Sequence, residues 1–263
     1  MKVRLISAVI ALAILIPLLF IGGVPFAIAI GILSVLAYKE ILDLKKSHNE
    51  IPNLVKVLGL ICVVYLVLGD YSLSSLNLIM SYPRMLLPIV LLLIPTVFYT
   101  KDKYTTKDAF YMLGTVYLVG LFFNLIISFR NIDINILIYL LAITFLTDTF
   151  AYLIGCLIGK HKMCPKISPK KSWEGAIAGL IGGSMVAIIV YTNLVGEFSI
   201  RLVFATMILS LVGQLGDLVY SKIKRENDIK DFSNLMPGHG GILDRIDSLS
   251  FVVFTYVILL WIL

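Results

Sequence analysis

The sequence predicts an all-α polytopic membrane protein of about nine transmembrane helices joined by polar loops, and three observations carry that prediction. Hydrophobic residues fill 59% of the 263 positions and charged residues only 14%, with a mean hydropathy of +0.98. A water-soluble core cannot hide that much apolar surface, so the bilayer must be the solvent. The apolar residues come in continuous runs such as Leu86 to Val97, not in the short alternating segments that a membrane barrel needs. Lastly, Lys and Arg crowd into alternate loops.

A span takes about 20 apolar residues, and runs near 5–21, 25–38, 54–69, 85–99, 109–129, 134–157, 175–195, 202–220 and 248–263 are the candidates. The first follows Lys2 and Arg4 as a signal peptide would. It ends at Gly22-Gly23-Val24-Pro25 and passes straight into the second run, so the expectation is an anchor that stays as the first span. The second run is short, with an end near Leu42, which leaves eight or ten spans as the alternatives to nine. No internal repeat or low-complexity linker interrupts the series. Residues 1–263 therefore read as a single integral membrane domain.

Orientation follows from the loops. With the N-terminus inside, Lys2, Arg4, Lys39, Lys45, Lys46, Lys56, Lys101, Lys103, Lys107, Lys160, Lys162, Lys166, Lys170, Lys171, Lys222, Lys224, Arg225, Lys230 and Arg245 fall on the cytoplasmic side. Only Arg84, Arg130 and Arg201 fall on the other, a division of 19 to 3 that a miscount by one span would scramble. The same dispersal explains the net charge of +6 without a nucleic-acid partner, because no isolated basic domain exists. Cys62, Cys156 and Cys164 form no CxxC pair and no zinc-like spacing, and read as packing residues in a reducing setting.

Two segments, 148–175 and 213–248, hold the chemistry-bearing residues, and within them 158–174 and 221–247 are too long and too polar to be mere turns. Asp217 closes an apolar span, where an uncompensated carboxylate is costly, and Asp148 lies inside one. Asp244 and Asp247 are three apart, so a helix beginning near Leu243 sets both on one face. Hard oxygen ligands at a membrane surface suit a magnesium ion that also holds phosphate oxygens. Because Asp217 ends one span and Asp244 begins the next, the two are expected at the same depth sharing that ion, with Asp247 in support. Lys222, Lys224 and Arg225 supply the positive charge that a polyphosphate needs, Arg225 with a bidentate fork. A solvated loop obeying the charge rule is the competing reading of Lys222, Asn227, Asp228 and Lys230.

His239 sits among Gly238, Gly240 and Gly241, where backbone can approach a ligand closely. Ser168-Pro169-Lys170-Lys171-Ser172 precedes a helix starting near Trp173, offering N–H groups and a hydroxyl to phosphate; a helix cap plus surface lysines is the alternative. Gly155 and Gly159 form a GxxxG pair whose ordinary meaning is close helix packing.

The run from Ser221 through Lys224-Arg225, Lys230-Asp231, Pro237, His239-Gly240-Gly241, Asp244-Arg245 and Asp247 resembles the signature of the phosphatidate cytidylyltransferases. Asp148, Ala151-Tyr152, Gly155, Gly159-Lys160 and the stretch from Ser168 to Gly175 are similar to that family's other marked segment. Together they cover about a quarter of the chain. The resemblance implies conversion of CTP and phosphatidic acid to CDP-diacylglycerol and pyrophosphate with magnesium, and with a monovalent cation as an optional addition. It also implies a homodimer of membrane helices in a bacterial cytoplasmic (inner) membrane, with the site facing the cytoplasm. Asp217, Asp244, Lys224, Arg225 and His239 would then be catalytic. Ser168, Lys170, Lys171, Ser172, Ser221, Lys222, Arg245 and Asp148 would bind substrate, and Asp217, Asp244 and Asp247 would bind metal. A CTP-dependent polyprenol or lipid kinase is the rival within enzymes, and would lean more on a general base. A transporter using Asp148 and Asp217 as ion sites is a more distant rival, opposed by the missing repeat and the one-sided polar clustering.

Overall fold

The computed structural model describes residues 2–44, 51–69, 82–99, 103–236, 238 and 240–262. Every one of the nine apolar runs falls on helix: α1 Lys2–Ile21, α2 Gly23–Leu44, α3 Asn53–Leu68, α4 Tyr82–Leu93 with α5 Pro95–Phe98, α6 Thr106–Ile132, and α7 Ile134–Ile158. After a two-stranded hairpin, β1 Lys162–Cys164 and β2 Ser168–Ser172, come α8 Trp173–Ala178, a π-helical turn Gly179–Gly183, α9 Ser184–Leu194, α10 Ile200–Glu226 and α11 Leu243–Ile262. Among the described residues five stretches, Gly23–Leu44, Thr106–Ile132, Ile134–Ile158, Trp173–Leu194 and Ile200–Glu226, are long and apolar enough to cross a membrane. Their outer faces are apolar too: Phe145, Leu153 and Leu157 on α7 and Phe204, Ile208 and Leu211 on α10 are exposed. Greasy surface of that kind is stable only against lipid.

Three elements depart from the expected runs. The second helix continues to Leu44, so that Lys39 and Glu40 are helical rather than loop. The fourth run breaks at Ile94, because Pro95 has no N–H to give the carbonyl a turn earlier and starts its own short helix. The tenth helix does not stop near 220 but runs to Glu226. It ends in a Schellman motif: Ile229 N donates to Lys224 O at 3.0 Å and Asp228 N to Arg225 O at 3.2 Å, with Asp228 in the left-handed region at φ 54°.

The chain divides into two compact units, the first comprising Met1–Ile132 and Phe232–Ile242. Two arginines close helix ends in it. Arg84, buried to 2% exposure, donates to the last carbonyls of α3, Tyr65 O and Leu66 O. Arg130 donates to Leu19 O at 3.0 Å and Phe20 O at 2.9 Å at the end of α1. Tyr65 O also accepts from Gly69 N at 2.9 Å, so Arg84 is a second donor there, while Leu66, Leu19 and Phe20 belong to last turns, whose carbonyls a helix leaves short of donors. Gly22, at φ 65°, makes room for the Arg130 guanidinium, which a Cβ there would strike. At the start of α6, Thr105 and Asp108 bond reciprocally through Thr105 N to Asp108 Oδ2 (2.8 Å) and Asp108 N to Thr105 Oγ1 (3.2 Å), a capping box.

The second unit, Asp133–Asp231 and Leu243–Leu263, is built on small residues. Thr147, Ala151 and Gly155 of α7 face Gly183, Gly179 and Gly175 at matching four-residue intervals. A Cβ on Gly183 would lie 2.7 Å from Thr147 Cα, on Gly179 2.7 Å from Thr147 O, and on Gly175 2.6 Å from Ala151 O. Backbones approach this closely only where side chains are absent, which gives Gly155 its packing role. The Gly-rich π turn keeps those glycines on the α7 side. Polar groups of α10 are satisfied inside the unit: Thr206 Oγ1 with Tyr139 Oη and Ser210 Oγ with Thr147 Oγ1, both at 2.8 Å, and Gln214 Nε2 with Ala176 O at 3.2 Å.

Candidate active site at the ends of α10 and α11

Residues 214, 217, 221 and 224 recur at three- and four-residue steps, so they form one stripe along the last turns of α10. Asp217 is the hub of that stripe. Its Oδ2 pairs with Lys171 Nζ at 2.6 Å and its Oδ1 accepts the Ser221 hydroxyl at 3.2 Å. Lys171 also donates to Gln214 O at 3.3 Å, which fixes the ammonium over the helix. Lower on the stripe, Lys224 Nζ meets Asp244 Oδ1 at 2.8 Å. That pair is nearly dry, with side chains 10% and 4% exposed, whereas Lys171 and Asp217 retain 27% and 26%.

Asp244 and Asp247 stand three positions apart in the opening turns of α11, and the Asp247 carboxylate accepts the backbone N–H of Ser248 at 2.8 Å. Asp148 of α7 is exposed and lines a crevice, too narrow for a water molecule, together with Thr144, Thr147, Ser210, Gly213 and Ser248. The charges of Asp148, Asp217 and Asp247 repel one another, with Lys171 and Lys224 as the attractive neighbours. Asp217 and Asp244 thus each hold a lysine of their own, and the acids that feel Asp217 are Asp148 and Asp247.

The hairpin carries the other motif. β1 and β2 pair antiparallel, Lys162 opposite Ser172 and Cys164 opposite Ser168, which sets Ser168 in a strand. Ser172 is the N-cap of α8, its Oγ accepting from Gly175 N at 3.2 Å. Glu174 locks the hairpin base by accepting from His161, Nδ1 to Oε1 at 2.6 Å, while Trp173 N donates to His161 O at 2.9 Å. Arg225 spends its fork on backbone: Nε donates to Ile167 O in the hairpin turn at 3.4 Å and Nη1 to Ile229 O at 2.9 Å. Lys170 and Arg245 are exposed, and Lys222 is exposed with Glu226 at 3.6 Å, an i,i+4 surface pair worth about 0.3–0.5 kcal/mol. His239 and Pro237 lie outside the described residues. The segment that contains them, Phe232–Ile242, belongs to the first unit.

Cytidylyltransferases supply a family model that matches residues 2–263. The chain belongs to the cytidylyltransferase family. A protein of Staphylococcus haemolyticus named phosphatidate cytidylyltransferase is 36% identical over 257 residues, 96% of each chain. Its namesakes from Staphylococcus aureus and Staphylococcus saprophyticus are 36% identical over 255 residues and 34% over 257, again with 96% of each chain covered.

A cytidylyltransferase must gather phosphate groups, and the cluster's charge bears on how. Among the described residues no three His, Cys, Asp or Glu side chains converge tightly enough to ligate one ion. Asp148, Asp217, Asp244 and Asp247 nevertheless supply hard oxygen donors, and magnesium ordinarily takes only one or two carboxylates, completing its shell with water and phosphate oxygens. The donor set therefore fits a magnesium ion brought with a nucleotide. Sequence reasoning missed Glu40 of α2, which accepts from Ser233 Oγ at 2.7 Å and Ile242 N at 2.8 Å. The only signal was an acid one turn from the end of an apolar run.

Proposed function

We propose that this chain transfers the cytidylyl group of CTP to phosphatidate, giving CDP-diacylglycerol and pyrophosphate for phospholipid synthesis. The observation that carries the reading is the pairing of Lys171 with Asp217 and of Lys224 with Asp244, which draws both motif segments of a cytidylyltransferase into one unit built of apolar helices. In the reaction a phosphate oxygen of the lipid attacks the α-phosphorus of CTP. The bond from that phosphorus to the bridging oxygen breaks, and pyrophosphate leaves with the electron pair. The lipid phosphate is itself the nucleophile, so catalysis consists of charge neutralisation and in-line positioning. Magnesium, when bound, neutralises phosphate charge, with Asp217, Asp244 and Asp247 as its candidate holders. Lys171 and Lys224, already oriented by carboxylates, would exchange part of those contacts for phosphate oxygens. Exposed Lys170, Lys222 and Arg245 supply further cations for the triphosphate or the lipid head. Ser168 and Ser221 are assigned as hydroxyl donors. The 19 to 3 division of Lys and Arg supports a site on the cytoplasmic face of a bacterial inner membrane. The family resemblance supports a homodimer.

The test is incubation of purified protein with labelled CTP, magnesium and either phosphatidic acid or a polyprenol. CDP-diacylglycerol with stoichiometric pyrophosphate is the expected outcome. A polyprenyl phosphate with CDP as coproduct would make the chain a lipid kinase instead.

A further inference from the structure

We propose that Glu40, far in sequence from both motif segments, is a positioning residue that sets the shape of the glycine-rich loop Phe232–Ile242; the activity arm of its test rests on the cytidylyltransferase reading. Glu40 is 4% exposed on α2. A buried carboxylate is stable only when hydrogen bonds replace its water. Here one oxygen, Oε1, accepts from Ser233 Oγ at 2.7 Å and from Ile242 N at 2.8 Å. Those donors stand at the two ends of the loop, so a single atom closes it.

The closure is nested. Ser233 Oγ passes the order inward by accepting from Leu235 N at 3.2 Å. Met236 and Gly240 then exchange backbone bonds, Met236 N to Gly240 O at 3.0 Å and Gly240 N to Met236 O at 3.1 Å. Gly238 and Gly240, at φ 79° and 83°, adopt the left-handed conformation that glycine accepts without steric cost. Gly241 lies so close to Glu40 that a Cβ on it would come within 2.6 Å of the carboxylate carbon. Both donors aim at an acceptor, and an ionised carboxylate accepts more strongly than an amide oxygen of the same shape. The loop bears the His239-Gly240-Gly241 stretch and runs directly into α11, ending two residues before Asp244. Glu40 acts on the reaction only through that loop.

The experiment compares full-length wild type, Glu40→Ala, Glu40→Gln, Gly241→Ala and the double variant Glu40→Ala/Gly241→Ala in detergent. Hydrogen exchange across 232–242 is followed alongside kcat and KM for CTP. Glu40→Ala should speed exchange of the Ile242 amide by about tenfold or more and lower kcat by a similar factor. Glu40→Gln, keeping an acceptor of the same shape, should recover most of both. Gly241→Ala should reproduce Glu40→Ala, and the double variant should be no worse than either, because the new methyl occupies the vacated space. Unchanged Ile242 exchange in both Glu40→Ala and Gly241→Ala overturns the proposal, as does loosened exchange with wild-type kcat. Should Glu40→Ala not fold, Gly241→Ala carries the same expectations with the carboxylate in place. A wild type that makes no CDP-lipid sinks the proposed function, while the exchange data still decide whether Glu40 shapes the loop.

Discussion

Lys171 Nζ lies 2.6 Å from Asp217 Oδ2, and this contact ties the hairpin to the end of α10. The hairpin's lysine thus reaches the α10 stripe with its charge already met by a carboxylate, and Asp148 and Asp247 lie close enough to Asp217 to feel its charge.

Asp217→Asn and Asp244→Asn should each lower kcat by about a hundredfold or more and raise the magnesium concentration needed for half-maximal rate. Asp217→Asn should remain folded in detergent, since the amide keeps the shape and its lysine is partly exposed, whereas Asp244→Asn strands the Lys224 charge, so its turnover is read on the fraction that stays folded. Normal turnover with an unchanged magnesium requirement in both variants would move the metal to other acids, Asp148 first.

Removing one member of the dry Lys224–Asp244 pair strands the other's charge. Lys224→Met should cost about 3–5 kcal/mol of stability, seen as a fall in thermal midpoint, and Lys224→Met/Asp244→Leu should recover much of it. A double variant as unstable as the single one would show that the pair's neighbours, rather than the pair, hold this corner together.

Arg225 clasps two carbonyls, and a lysine can reach one of them at most. Arg225→Lys is expected to reduce kcat/KM about tenfold, nearly as much as Arg225→Ala. Wild-type kinetics for the lysine variant beside a crippled alanine variant would assign Arg225 a role through charge alone.

Two glycines should respond oppositely to one methyl group. Gly183→Ala pushes a Cβ to 2.7 Å from Thr147 Cα and should lower the thermal midpoint. Gly114→Ala meets nothing within 4 Å on helix α6 and should gain about 0.5–1 kcal/mol from reduced chain entropy. Equal responses would mean that the α7 interface yields freely.

In a background lacking Cys62, Cys156 and Cys164, single cysteines at Lys103 and Lys230 should resist an impermeant reagent applied to intact cells, while one at Glu197 reacts. Labelling of Lys230→Cys from outside would invert the topology and remove the site from the cytoplasm.

The helices were legible because the bilayer demands long apolar runs, and the two signatures were legible as family motifs. What joins them was not. The helix of α10 past residue 220 was hidden by its charges, although Lys224 and Arg225 in the last turn suit the helix dipole. The hairpin of 162–172 has no apolar alternation to announce a strand, so the pairing of Lys171 with Asp217, which depends on its register, had no local signal. Glu40 meets Ser233 across 193 positions, a relationship that no window of sequence contains. The Ser172 cap, by contrast, was one of two readings that its position before Trp173 allowed.

The polar face of α10 has a consequence for how the protein is made. Thr206, Ser210, Gln214 and Asp217 find their partners in Tyr139, Thr147, Ala176 and Lys171, every one of them earlier in the chain. Translation delivers those partners first. By the time α10 leaves the ribosome, α7 and the small-residue seam beside it can already be in the bilayer, offering hydroxyls, a carbonyl and an ammonium to a helix that bare lipid would receive poorly. Gene order thus serves as an assembly schedule, and a rearranged gene that placed α10 ahead of α7 would yield the same residues but hand the insertion machinery its most polar span with nothing to greet it.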